Sequence, residues 1–113
     1  MKILFIISAS VAIQKCNEIL KQLTSKQISI DCIFTDNAKK MINIKDLQKI
    51  IKGKVFTNSA EKYNKMLHIK LTRKCDLIVV CPATANIIAK IANGYADDLA
   101  STSLIASNKK IIF

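Results

Sequence analysis

The sequence predicts a doubly wound parallel α/β sheet, and three observations carry that prediction. Short apolar runs that suit strands buried on both faces alternate with stretches whose apolar residues recur at helical spacing. The clearest strands end in small or hydroxyl-bearing residues that suit the start of a helix. The third observation is length: 113 residues can bury roughly two thirds of their unfolded surface around one core, but are too few for two.

Residues 3–7 (Ile-Leu-Phe-Ile-Ile) form a continuous apolar run and predict the first strand. From Val11 the period changes. Ala12 with Ile13, Cys16, Ile19 with Leu20, and Leu23 share a helical face, so Ser8-Ala9-Ser10 is the turn between strand and helix. Ile28, Ile30, Cys32 and Phe34 alternate and predict a second strand, ending in the capping residues Thr35-Asp36-Asn37. A helix is expected over residues 39–51, with Ile44, Leu47 and Ile50/Ile51 on its apolar side and Gly53 as its C-terminal stop. Val55-Phe56 predicts a short strand, followed by a loop and helix reaching Lys74.

Residues 76–81 read as a strand again. Pro82, the only proline, ends it by holding Cys81 extended. Ile87, Ile88, Ile91 and Ala92 mark a helix that Gly94 terminates, and Asp97-Asp98 cap another that reaches about Ser107. A further strand opens at Lys110. It is still apolar at Phe113, so the carboxyl-terminal part of the sheet is expected to be missing.

The formal charge of +10 comes with scattered lysines and only 5% aromatic residues, unlike a nucleic-acid surface, where basic and stacking residues interleave. Lys45, Lys49, Lys52 and Lys54 form the loosest basic cluster and read as a solvated face; an anionic small molecule stays compatible with the charge. Cys16, Cys32, Cys75 and Cys81 have neither the paired spacing of a zinc site nor the density of a disulfide scaffold, and are expected to be reduced. No apolar stretch approaches the ~20 residues of a membrane span, and residues 3–7 pass straight into a helical pattern, unlike a signal peptide. A cytoplasmic protein without nucleic-acid or membrane partners is expected.

In a sheet of this kind the three turns Ser8-Ala9-Ser10, Thr35-Asp36-Asn37 and Pro82-Ala83-Thr84-Ala85-Asn86 converge on one edge. Hydroxyls and the free N–H groups of helix starts there suit a phosphate. Plain capping is the alternative for each Ser and Thr, and no Gly-x-Gly-x-x-Gly or P-loop sequence narrows the ligand. His68, the only histidine, reads either as a polar surface residue or as a catalytic group. Asp97 and Asp98, adjacent on a helix, point in different directions and read as caps.

Three segments, taken in order and spacing, resemble one family: His68-Ile69-Lys70-Leu71, the strand and turn from Asp76 through Pro82 to Asn86, and Gly94-Tyr95-Ala96-Asp97-Asp98-Leu99. The family is that of the homo-oligomeric flavin-containing cysteine decarboxylases, and the branch most alike is the phosphopantothenoylcysteine decarboxylases of coenzyme A biosynthesis. Residues 8–12 are similar to its amino-terminal Gly-Ser-Ile/Val-Ala-Ala turn and residues 35–38 to its Thr-Glu-Ala-Ala stretch; residues 53–66 match least.

The resemblance implies a flavodoxin-like (Rossmann-type) three-layer α/β/α domain over residues 1–113 that binds FMN through Ser8, Ala9, Ser10, Thr35, Thr84, Ala85, Asn86 and Ile87. The phosphate would lie near Ser10 and Thr35, the ring near Thr84, Ala85 and Asn86, and no metal would be needed. It implies FMN-dependent decarboxylation of phosphopantothenoylcysteine to phosphopantetheine, with His68 and Asn86 catalytic. The assembly would be a homotrimer, or a multiple of trimers, with active sites between subunits, alongside a second chain or a fused synthetase.

Three departures bear on this. Ala9 stands where the family has glycine, tolerable only with ordinary backbone angles. Ile87 stands where many relatives have threonine. A Pro-Ala-Met-Asn motif is due after Phe113, and a flap cysteine later still, so an incomplete amino-terminal fragment is expected. The alternative is an FMN-binding module without turnover. A general nucleotide-binding or signalling domain is a third reading, against which stands Asp36, alone where a phosphoacceptor site would cluster aspartates.

Overall fold

The computed structural model describes residues 1–60 and 66–113. Its elements, in chain order, are β1 (Lys2–Ile7), a 3-10 turn (Val11–Lys15), α1 (Cys16–Ser25), β2 (Ser29–Phe34), a second 3-10 turn (Ala38–Lys40), α2 (Ile44–Ile50), β3 (Val55–Phe56), α3 (Leu67–Lys74), β4 (Leu77–Val80), α4 (Ala85–Ala92), α5 (Leu99–Ala106) and β5 (Ile111–Ile112). The loop and helix expected before Lys74 end in α3; their part at residues 61–65 lies outside the described residues.

All strand pairs are parallel, and the sheet order is β3-β2-β1-β4-β5. The chain steps outward from β1 to β3 and then crosses back to the other side of β1. That reversal between β1 and β4 is the topological switch point, where open α/β sheets leave a crevice at the carboxyl ends of their strands.

Because side chains alternate along a strand, β1 feeds two cores. Ile3, Phe5 and Ile7 pack with Ile13, Cys16 and Leu20 of the first helical segment and with Leu47 of α2. Leu4 and Ile6 pack with Leu71 of α3, Ile87 of α4 and Leu104 of α5. The sheet thus sits between α1/α2 and α3/α4/α5, the three-layer flavodoxin-like arrangement expected from the sequence. Burying each large side chain contributes roughly 1.5–3 kcal/mol. At the opposite end, the buried Asp31 carboxylate of β2 pairs with Lys2 Nζ at 3.1 Å and accepts the Lys54 N–H at 2.9 Å.

Two helix boundaries differ from expectation. The helix foreseen over residues 39–51 is a 3-10 turn at Ala38–Lys40 followed by α2 from Ile44, because Asn43 is extended and its side chain accepts the Lys45 N–H, restarting the helix there. Gly53 does not close α2 by a left-handed turn; Ile51 leaves the helix extended, and Gly53 is pressed against β2, where a Cβ would lie 1.9 Å from the Ile30 carbonyl oxygen.

Gly94, by contrast, ends α4 as the sequence indicates. Its φ is +73°, its N–H donates to Ile91 O, and the Tyr95 N–H donates to Lys90 O at 2.8 Å. At the end of α1 the same turn is made by Gln27, with φ +63°. There the N–H groups of Gln27 and Ile28 donate to the Thr24 and Leu23 carbonyls. Gln27→Gly is expected to raise stability by about 0.5–1 kcal/mol, since relief of left-handed strain outweighs the freedom glycine adds to the unfolded chain. A higher urea midpoint at unchanged slope would show this.

Candidate functional site

The carboxyl ends of β1, β2 and β4 build a cleft of about 580 Å³, within the roughly 300–1,000 Å³ of typical ligand sites. From β1 come Ser8, whose buried hydroxyl donates to the Pro82 carbonyl, and Ala9. That hydrogen bond ties the end of β1 to the turn after β4, across the switch point. The Cys81–Pro82 peptide bond is cis. Ala9 is not among the positive-φ residues, so alanine meets no backbone strain at the position where the family pattern has glycine.

From β2 come Thr35, Asp36 and Asn37. The Thr35 N–H continues the ladder to Ile7 O at 3.1 Å, and its hydroxyl accepts the Ala38 N–H at 3.3 Å. From the turn after β4 come Thr84, Asn86 and Ile87. Thr84 is extended and caps α4: its hydroxyl accepts the Ile87 N–H at 3.3 Å and its carbonyl the Ile88 N–H at 3.0 Å. The first-turn N–H groups of Ala85 and Asn86 are left at the positive end of the helix. Ile87 is 3% exposed and also packs in the core beneath α4, so its apolar side chain anchors the helix.

Six of the residues expected at the site, Ser8, Ala9, Thr35, Thr84, Asn86 and Ile87, therefore line one cleft. Three do not. Ser10 caps the 3-10 turn, accepting the Ala12 N–H at 3.2 Å; Ala85 is exposed at the start of α4; and His68 stands half-buried in the first turn of α3, outside the lining.

Four lining residues escaped the sequence reading as site groups: Asn58, Lys90, Asp97 and Asp98. Asp98 caps α5, accepting the Ser101 N–H at 2.7 Å in a capping box, as its pattern indicated. Lys90 Nζ lies 3.1 Å from Asp97 Oδ1 and 3.8 Å from Asp98 Oδ2, which offsets both carboxylates at the cleft wall. The Lys90 ammonium hydrogen-bonded to Asp97 holds that carboxyl below the usual carboxylate range. Asn58 follows the short strand β3 in a Thr-Asn-Ser run, the same polar strand-end pattern that marked the other three turns.

All four cysteines are free. Cys16 donates its thiol to the Cys81 carbonyl at 3.2 Å; burial, reinforced by the neighbouring Cys81 thiol, pushes its pKa up to about 12. Such a thiol stays protonated and inert at neutral pH. No helix among the described residues is long and apolar enough to cross a membrane.

Comparison with known proteins places this geometry among relatives. The model of the Flavoprotein family matches residues 1–113. The chain is 38% identical to the coenzyme A biosynthesis bifunctional protein CoaBC of Borreliella burgdorferi over 98% of its own length and 29% of that protein's. It is 32% identical to a probable phosphopantothenoylcysteine decarboxylase of Streptococcus mutans over 93% of its own length and 60% of that protein's. A solved PPC decarboxylase mutant complexed with pantothenoylaminoethenethiol superposes with a TM-score of 0.84 at 26% identity, covering 97% of this chain and 63% of the other. The chain thus spans less than two thirds of each of these proteins.

Proposed function

The chain belongs to the Flavoprotein family, and from that premise we propose that its cleft binds FMN and serves the decarboxylation of phosphopantothenoylcysteine to phosphopantetheine in coenzyme A biosynthesis. The observation that carries the reading is the meeting of the Ser8, Thr35 and Thr84 turns around one cleft at the switch point. The residues fit the cofactor. The open N–H groups of Ala85 and Asn86 at the start of α4 and the hydroxyl-bearing ends of β1 and β2 suit a phosphorylated polyol, and the cleft has a volume typical of ligand sites.

Bound FMN would supply the two-electron oxidation of the substrate's cysteinyl side chain and the later return of those electrons. The chain itself has simpler tasks. The Ser8–Ala9 end of β1 and the Thr35 turn would hold phosphate, and Asn86 would face the ring and substrate. His68 would act as a base or anchor the substrate carboxylate. Its place outside the cleft of its own chain favours a trimer, in which His68 serves a neighbouring subunit. The fused architecture of the bifunctional relative supports a synthetase partner. The free cysteines agree with a cytoplasmic setting.

The test is the visible absorbance of the purified protein, with chromatography of whatever cofactor heat releases. FMN near one per chain is expected. A colourless protein that takes up no added FMN would overturn the reading. CO2 release from phosphopantothenoylcysteine then separates a decarboxylase from a binding module without turnover. Asn86→Asp is expected to weaken FMN binding about tenfold by placing a carboxylate beside an anionic, electron-rich ligand. Unchanged flavin affinity in a fluorescence titration would remove Asn86 from the site.

A further inference from the structure

Asn58 is a cleft residue whose side chain uses both its ends on different elements. Its Nδ2 donates to Asp36 Oδ2 at 3.0 Å, and its Oδ1 accepts the N–H of Leu99, the first residue of α5, at 2.7 Å. It thereby joins the end of β2 to the start of α5, which lies 41 residues beyond Asn58 itself, and takes up a helix-terminal donor that Asp98 does not reach.

Among the described residues, the cleft carboxylates Asp36, Asp97 and Asp98 differ in their neighbours. Asp97 and Asp98 share Lys90. Asp36, exposed at the end of β2, pairs with no cation among the described residues, and its hydrogen-bond partner is the neutral amide of Asn58. An amide fixes the direction of a carboxylate without offsetting its charge, so the free lone pairs keep full acceptor strength. A bare, oriented carboxylate repels a phosphate but suits a hydroxyl. In doubly wound sheets an acidic residue near this place accepts a sugar hydroxyl.

We infer that Asn58 is a positioning residue that aims the Asp36 carboxylate into the cleft to accept hydrogen bonds from the hydroxyl-bearing chain of the phosphorylated ligand. This rests on the reading of the cleft as an FMN site.

The test is fluorescence titration with FMN alongside thermal unfolding, on the wild type, Asn58→Asp, Asp36→Asn, and the double variant that carries both changes. Asn58→Asp sets two carboxylates against each other and is expected to lower the melting temperature. It should also raise the FMN Kd roughly 10- to 100-fold, the usual loss for a charged hydrogen bond. Asp36→Asn, an exposed change that leaves Asn58 a partner, should raise Kd to a similar extent while melting like the wild type. The double variant re-forms an amide–carboxylate pair with the roles exchanged. It should regain the melting temperature but not the affinity, because an amide then stands where the ligand needs a carboxylate. Affinity that returns together with stability in the double variant, or single variants that bind FMN like the wild type, would overturn the inference while leaving the cofactor assignment intact. A wild-type chain that takes up no FMN would overturn both.

Discussion

Gly53→Ala is expected to cost about 3 kcal/mol or more, a large share of the roughly 5–15 kcal/mol that holds a domain folded. An added Cβ would fall 1.9 Å from the Ile30 carbonyl oxygen and 2.4 Å from Asp31 Oδ1, separations no real pair of atoms adopts. Neither neighbour can yield cheaply. Ile30 is fully buried in β2, which is hydrogen-bonded to β1 on one side and β3 on the other. Retreat of residue 53 would pull Lys54 away, and Lys54 both donates its N–H to Asp31 at 2.9 Å and accepts the Cys32 N–H at 2.8 Å. Overpacking costs about 1–3 kcal/mol, and weakening the contacts of a buried carboxylate adds about as much. Urea unfolding of the variant checks this; a loss below about 1 kcal/mol would show that the segment after α2 can move aside.

His68→Asn is expected to leave flavin bound and lower decarboxylation by about 10²–10⁴-fold, the range for removal of a general acid or base. The flavin should stay because no cleft-lining group is changed. The location of His68 on α3 makes a sharper expectation possible. If it serves a neighbouring subunit, co-assembling His68→Asn chains with Asn86→Asp chains should restore part of the turnover that each lacks alone, since some clefts then combine an intact Asn86 with an intact His68. Full activity in His68→Asn would make this histidine an ordinary polar residue, and inactive mixed assemblies would place its action within one chain.

What the sequence revealed and what it hid follow one physical division. β1 and β4 were legible because a strand covered on both faces must be apolar throughout, and Gly94 because a left-handed helix end favours glycine. Thr84 and Asp98 announced themselves as caps by standing directly before apolar helical periods. The start of α2 was misplaced because Asn37 and Asn43 offer competing capping chemistry and only the fold decides between them. Gly53 looked like a helix stop, whereas its need for glycine arises from strand β2, more than twenty residues earlier in the chain. The Thr35 and Thr84 turns were recognisable from local pattern as polar strand ends, which the fold brings to one cleft. Asn58 carries the same polar strand-end pattern, but its place in the cleft was hidden, since its two partners lie far away along the chain and the stretch around it shows little periodicity. His68 was noticed for being unique, but its distance from the cleft depends on packing, which composition does not encode.

The cleft draws its walls from Ser8 through Asp98, nearly the whole span of the described chain. During synthesis, at roughly 5–20 residues per second, the first turn emerges many seconds before the last wall that completes the cavity. Whatever binds the cleft rewards only the finished fold, shifting the folding equilibrium by mass action in proportion to the cell's free supply of that ligand.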